Sequence, residues 1–399
     1  MTLADPRIFL VAGEPSGDAL GAGLLRALRA EAPGAVAQGI GGPGMVEAGM
    51  ELIFPYDDLA IMGLLEILPK LYRLNRRWQE AAAAIEDFQP DVVLTIDSSG
   101  FNKGLAKRLI KARIPARRVH YVAPMVWAWR PGRAEGMPKL FDRLLTLFPF
   151  EPPYFEKFGL QSDCVGHPAV EAAPGDGQRF RAANGIPPEA PTLALLPGSR
   201  RGEVKRLLPD MVETIRRLVP ALPDLHLICP TVPLVAPLLH QALSDLPIPA
   251  TVVERMADKH DAFAAADAAL AASGTITLEL ALARVPMVVT YRLNTLTAYL
   301  GKRLLNIGSA SLPNLLAKRP FVPELLQEQA TPDRLAAATL ALYRDAGERD
   351  RQMQGFAEVA DALRPGAVRP SALAAKIVLE EAMRGRAANP EFHPKGATA

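Results

Sequence analysis

Between Ile8 and Ala30 the chain reads IFLVAGEPSGDALGAGLLRALRA, a short apolar run joined directly to a glycine-rich turn and then to an amphipathic helical pattern. A continuous apolar run suits a strand buried on both faces, and such strands belong to parallel sheets whose crossovers are helices. Leu20, Leu24, Leu25 and Leu28 recur on one helical face, while Gly13, Gly17, Gly21 and Gly23 permit tight turning and close backbone approach. The expected product is a βα unit with a ligand seated over its turn. No G-x-G-x-x-G follows the strand directly and no Gly-Lys-Ser/Thr closes the turn, so the standard dinucleotide and P-loop fingerprints are both missing. Glu14 and Asp18 either complement the helix N-terminus or act on a substrate, by holding sugar hydroxyls or by accepting a proton.

The alternation continues. Strands are expected at Ile8 to Ala12, Val36 to Ile40, Val92 to Ile96, Val119 to Val122 and Leu144 to Phe148, with helical patterns between most of them. From Ala172 to Pro191 the chain turns small, polar and proline-bearing, as a linker carrying a short helix would. A second cycle then places strands at Thr192 to Leu196, Leu225 to Cys229, Ala250 to Val253, Ala268 to Ala271 and Pro286 to Thr290. The fold class is α/β, with two doubly wound, Rossmann-like domains facing across a cleft. The length of 399 residues fits two cores better than one. The first domain is expected over residues 1–170 and the second over 171–349; the chain is helical from about Pro332, and residues 387–399 form a tail.

Composition narrows the function classes. The 45 basic and 43 acidic residues leave a net charge of +2, which carries no nucleic-acid signature. Cys164 and Cys229 lie far apart with no C-x-x-C spacing, in keeping with ordinary packing in a reducing compartment. MTLADPRIFLVAGE lacks the basic and long apolar regions of an export signal, and no stretch approaches the roughly 20 uncharged apolar residues of a membrane span. The expected location is cytoplasmic, soluble or peripheral on a membrane. The six histidines never fall at ligand spacing and no Asp-x-Asp stands out, so no metal and no cofactor is expected.

Two turns in the second half carry phosphate chemistry. LALLPGSRRGEVKRLL repeats the strand, turn and helix design, now with Arg200, Arg201, Lys205 and Arg206 at the helix start, where cations oppose the dipole unless an anion joins them. Gly198, Ser199 and Arg200 are the candidates there. In AASGTITLELAL, Ser273, Gly274 and Thr275 precede a helix expected from about Ile276 to Ala283. Capping alone explains Ser273, but it leaves Glu279, set among leucines, for a ribose or similar hydroxyl ligand.

The blocks AGEPSGD, GIGGPGM, YVAPMVWAWRPGR, FPFEPPYF, VGHP, LLPGSRRGEV, ASGTITLELAL, PMVVTYR and SLPNLLAKRPFVPELLQ, in this order from Ile8 to Gln327, resemble the lipid-A-disaccharide synthases, inverting glycosyltransferases of GT-B fold. The resemblance implies transfer of 2,3-diacylglucosamine from its UDP conjugate to 2,3-diacylglucosamine 1-phosphate, giving a β-1,6-linked disaccharide 1-phosphate and UDP. It assigns the UDP donor to the C-terminal domain and the acceptor to the N-terminal one, with C-terminal helices from about 350–386 packing back on the latter. Carried over, Arg200, Glu279 and Asn314 contact the nucleotide, and an inner-membrane lipid surface and a homodimer are implied partners. Ser16, Gly17, Asn102, Trp127 and His167 are candidates for substrate contact, although His167 could equally end a strand and Trp127 fill a wall. One departure matters: where the family often reads IDAPDFN this chain has IDSSGFN, so that a carboxylate there is Gly100 here. Asp97, Glu14 or Asp18 remains to deprotonate the acceptor.

Phe54 to Trp78 is apolar and trails Lys70, Arg73, Arg76 and Arg77, which reads either as core or as a lipid-facing patch over Ile61 to Leu71. Lys302, Arg303 and Lys318 either face a phosphate or are solvated. The alternatives to the transferase are a UDP-sugar 2-epimerase, a glycosyltransferase using another lipid-linked acceptor, and a non-catalytic carrier.

Overall fold

The computed structural model describes residues 5–56, 67–127, 131–292, 309–364 and 366–388. It divides into two compact units, Met1–Pro168 with Leu363–Ala399, and Ala169–Ala362.

The first unit is built on a parallel sheet of seven strands: β1 (Arg7–Ala12), β2 (Val36–Gly41), β3 (Glu51–Pro55), β4 (Val92–Ile96), β5 (Arg117–Tyr121), β6 (Arg143–Thr146) and β7 (Ser162–Cys164). Their order is β3-β2-β1-β4-β5-β6-β7, so the chain reverses its direction of winding between β1 and β4. β4 is buried at every position, as its unbroken apolar run requires. The helix Pro15–Glu31 starts on a proline and buries Leu24, Leu25 and Leu28. A Cβ on Gly17 would lie 3.3 Å from that of Ala12, so this glycine lets the helix sit close on β1.

The second unit has six parallel strands: β8 (Thr192–Leu196), β9 (His226–Pro230), β10 (Ala250–Val253), β11 (Ala268–Ala272), β12 (Met287–Tyr291) and β13 (Glu324–Leu326), in the order β10-β9-β8-β11-β12-β13. Its winding reverses between β8 and β11. The helix Arg201–Leu218 lays Val204, Leu207, Leu208, Met211 and Ile215 into the core with Leu193, Leu195 and Leu270.

Several expected boundaries move for identifiable reasons. β5 ends at Tyr121 rather than Val122, because Val122 adopts φ +76, outside the strand region. β6 stops at Thr146 instead of reaching Phe148, because the amides of Leu147 and Phe148 donate to the Glu151 carboxylate, each at 3.0 Å. The chain returns to the first unit at Leu363, not at about residue 350. The helix Ala346–Ala362 stays with the second unit, where Gln352 bonds the backbone N–H and C=O of Met287 at 2.8 and 3.2 Å. The helix that packs on the first sheet is Pro370–Ala388, whose Glu381 meets Arg117 and Arg143 and whose Arg386 meets Asp91.

Candidate active site

In open parallel sheets ligands gather beyond the C-terminal strand ends where the winding reverses. In the first sheet that point lies between β1 and β4, with Ala12 beside Ile96, so the turn Gly13–Asp18 and the turn Asp97–Asn102 emerge together. In the second it lies between β8 and β11, with Leu196 beside Ala271, which brings Gly198–Arg200 next to Ser273–Thr275.

At the first turn Glu14 and Ser16 are exposed, whereas Gly17 is buried in the helix packing just described. Asp18 is a different case from the one expected. Its carboxylate is buried and accepts from the amides of Gly42, Gly44 and Met45 at 2.8, 2.9 and 3.0 Å, pinning the start of the helix Pro43–Glu47. With both oxygens so engaged, Asp18 is a structural anchor and not a base.

Asp97 follows β4 directly, and both it and Ser98 adopt positive φ, +48 and +37. Consecutive left-handed residues without glycine store strain that neighbours must hold, and such strain gathers at functional sites. Asn102 does the holding: fully buried, it donates from Nδ2 to the carbonyls of Ile96 and Asp97 at 3.2 and 2.7 Å. Its role is to fix the turn under the candidate base, one step behind the substrate contact expected of it. Burial pushes the Asp97 carboxyl up, against the lowering effect of a hydrogen bond from the Ser98 amide. Beneath, His120 bonds Thr95 Oγ1 at 2.7 Å and stacks on Phe141, and burial with the nearby Lys103 holds its pKa down to about 3.

The loops after β5, β6 and β7 form an aromatic wall on the same edge. Trp127 meets Phe150 edge to face at 5.3 Å, Phe150 stacks on Phe148 at 5.5 Å, and Phe148 stacks on His167 at 5.9 Å. Burial lowers the pKa of His167 to about 4, so its ring is neutral at physiological pH. Glu151, which sequence reasoning passed over, sits behind the wall and accepts from Trp127 Nε1 at 3.2 Å. Trp129, Lys302, Arg303 and most of Ile61 to Leu71 lie outside the described residues.

In the second unit Gly198 has φ +111, and Ser199 and Arg200 are exposed before the helix Arg201–Leu218. The anion expected to balance the cations here has an internal counterpart. The Glu203 carboxylate lies over Gly198, 2.2 Å from where a Cβ would stand, and it also bonds the Tyr291 hydroxyl. Ser273 donates to the Ala310 carbonyl at 2.6 Å, Gly274 and Thr275 are exposed, and the helix runs Ile276–Leu282. Glu279 is ion-paired with Lys259 at 2.5 Å, a partner no local pattern announces.

Asn314 corrects a second expectation. Its Nδ2 donates to Val322 O and Glu324 Oε1 at 2.9 and 2.7 Å, and its Oδ1 accepts from the amides of Phe321 and Val322, both at 2.9 Å. With both donors and both lone pairs occupied, it shapes the turn and offers no free edge to a nucleotide. Glu324 also takes Ser309, the Ala310 amide and Ser311; burial raises its pKa, but these hydrogen bonds outweigh burial and leave it lowered. A cavity of about 490 Å³ adjoins this network, with Lys318, Arg319 and Arg351 on its lining. Among the described residues no group of three His, Cys, Asp or Glu side chains is placed to hold a metal ion, and no helix is long and apolar enough to cross a membrane.

The model of the lipid-A-disaccharide synthetase family matches residues 8–378. The chain belongs to the lipid-A-disaccharide synthase family. The lipid-A-disaccharide synthase of Rhodospirillum centenum is 49% identical over 375 residues, covering 93% of this chain and 94% of that one. The Myxococcus xanthus enzyme is 39% identical over 384 residues, covering 96% and 99%. Family membership makes this chain an enzyme, a glycosyltransferase of lipid A synthesis. Among solved structures, UDP-GlcNAc 2-epimerase from Neisseria meningitidis superposes with TM-score 0.65 at 12% identity, covering 95% of this chain and all of that one. MurG from Acinetobacter baumannii gives 0.57 at 14% identity, covering 94% and 99%. At such identities these likenesses speak for the GT-B fold alone.

Proposed function

We propose that this enzyme transfers 2,3-diacylglucosamine from its UDP conjugate to the 6-hydroxyl of 2,3-diacylglucosamine 1-phosphate with inversion, the first unit taking the acceptor and the second the donor. The observation that carries the reading is Asp97, set in a strained turn where the winding of the first sheet reverses, with its pKa raised by burial. A carboxylate moved upward from its ordinary range is better matched to accepting a hydroxyl proton near neutrality. As that proton passes to Asp97, the acceptor oxygen bonds to the donor's anomeric carbon, and the opposite bond to UDP breaks with its electron pair leaving on the diphosphate. Arg200 and the amides opening the helix Arg201–Leu218 suit that developing charge. For UDP to bind there, the Glu203 carboxylate over Gly198 gives way to the phosphates.

The same reading has the enzyme working as a peripheral protein on the cytoplasmic face of the membrane that carries both acylated substrates, and as a homodimer. Single-turnover kinetics test its chemical core. Asp97→Asn is expected to slow the step about 10²- to 10⁴-fold with donor affinity kept, the usual contribution of a general base. A normal rate in that variant would remove Asp97 from the mechanism.

A further inference from the structure

Glu151 stands out among the groups the mechanism leaves unused. It is 2% exposed, it accepts from Leu147 N, Phe148 N and Trp127 Nε1, and no lysine or arginine is paired with it among the described residues. Burying a carboxylate without a cation is costly, and glutamine would cap the same two amides at lower cost. What the second oxygen adds is the bond to the indole. That bond joins the loop after β5 to the loop after β6, and it fixes the plane of Trp127 against Phe150 at an angle of 87°. The stack then continues through Phe148 to His167 on the loop after β7.

We propose that Glu151 is a positioning residue for the acceptor: by tying Trp127 to the Leu147–Phe148 backbone, it holds the half-buried Trp127, Phe150 and His167 rings, backed by the buried Phe148 on which Phe150 and His167 stack, as one wall against which the acylated amino sugar packs. The proposal rests on the reading that the first unit takes the acceptor. Aromatic rings with a fixed plane bury the apolar face of a sugar or the start of an acyl chain at little entropic cost, whereas a loose indole must be ordered on binding.

Two variants cut the same bond from opposite ends. In Glu151→Gln the amide oxygen still caps Leu147 and Phe148, but its NH₂ faces the indole N–H donor to donor. In Trp127→Phe the donor is gone while a ring remains against Phe150. Calorimetric binding of 2,3-diacylglucosamine 1-phosphate and steady-state kinetics are measured on both, and on the double variant. Each single variant is expected to weaken the acceptor Kd and raise the acceptor KM about tenfold, the scale of one lost buried hydrogen bond. The donor KM stays unchanged, and the double variant is no worse than either single one. Unchanged acceptor Kd and KM with a fallen kcat would overturn the proposal, as would additive losses. If Glu151→Gln fails to fold, Trp127→Phe decides by the same acceptor Kd. A wild-type enzyme that binds acceptor yet makes no disaccharide would overturn the transferase reading while the Kd comparison still judges Glu151; one that binds no acceptor would overturn both.

Discussion

Replacing Glu381 by alanine should loosen the first unit without touching its chemistry. Glu381 is fully buried on the helix Pro370–Ala388; its Oε2 meets Arg117 at 2.7 Å, and its Oε1 meets Arg143 at 3.2 Å and Arg384 at 2.7 Å. Removing one partner from a buried ion pair costs about 3–5 kcal/mol, because the other charge is left uncompensated. Here the loss is moderated. Arg143 keeps Asp163 at 2.7 Å and Glu380 at 3.2 Å, and Arg117 keeps Asp142 at 3.4 Å. The lower end, about 3 kcal/mol, is therefore expected, or about 6–12 °C in the melting of a unit this size. Arg384, 53% exposed, is the control, and its alanine variant should cost less than about 1 kcal/mol. Trp78, Trp127 and Trp129 are the only tryptophans and all belong to the first unit, so their emission in a urea titration follows that unit selectively. Arg117 and Arg143 open β5 and β6, whereas Asp97 follows the far end of β4, about 16 Å away along the strands, so kcat should be unchanged. A Glu381→Ala shift no larger than that of Arg384→Ala would refute the claim that this network fastens the C-terminal helix.

Three further outcomes follow from the site. A Cβ at Gly100 meets nothing within 4 Å and the position lies in the first turn of the helix Ser99–Lys111; Gly100→Asp should therefore raise the melting temperature by an amount equivalent to about 1 kcal/mol and leave kcat within about threefold, while a kcat gain beyond tenfold would show that the base is not Asp97. His120 titrates near 6.5 when unfolded but only at about 3 when folded, so the unfolded state binds the extra proton and stability is lost as pH falls below 6.5; equilibrium unfolding at about pH 4 to 6 should show a wild-type slope steeper than that of His120→Gln by about 1.4 kcal/mol per pH unit, and parallel slopes would contradict the burial argument. Charge stabilisation by Arg200 and a helix N-terminus predicts disaccharide formation that survives EDTA; complete loss restored by magnesium would overturn it.

Much of the fold was legible because parallel strands buried on both faces announce themselves as apolar runs. β4 lies where Val92 to Ile96 predicted it. β3, β7 and β13 escaped notice: β3 is largely exposed at a sheet edge, and β7 and β13 are three-residue strands, too short for a periodicity. Asp97 was legible as the acidic residue closing a strand. Asp18 was misleading, because a carboxylate in a glycine-rich turn looks the same in sequence whether it faces substrate or pins amides 24 to 27 residues away. Glu151, Glu324 and Lys259 gave no usable signal, since what defines each is a set of partners that only the folded chain assembles. The return crossover was misplaced for a similar reason: Gln352 commits its helix to the second unit through hydrogen bonds to Met287, which no local pattern encodes.

The central claim is acceptor-dependent glycosyl transfer, and product mass spectrometry tests it most directly. Purified enzyme is mixed with UDP-2,3-diacylglucosamine, with and without 2,3-diacylglucosamine 1-phosphate. The account predicts a disaccharide 1-phosphate, with UDP released in equal amount, only when both substrates are present. Donor converted to epimer or free sugar without acceptor, or no conversion in either mixture, would contradict it.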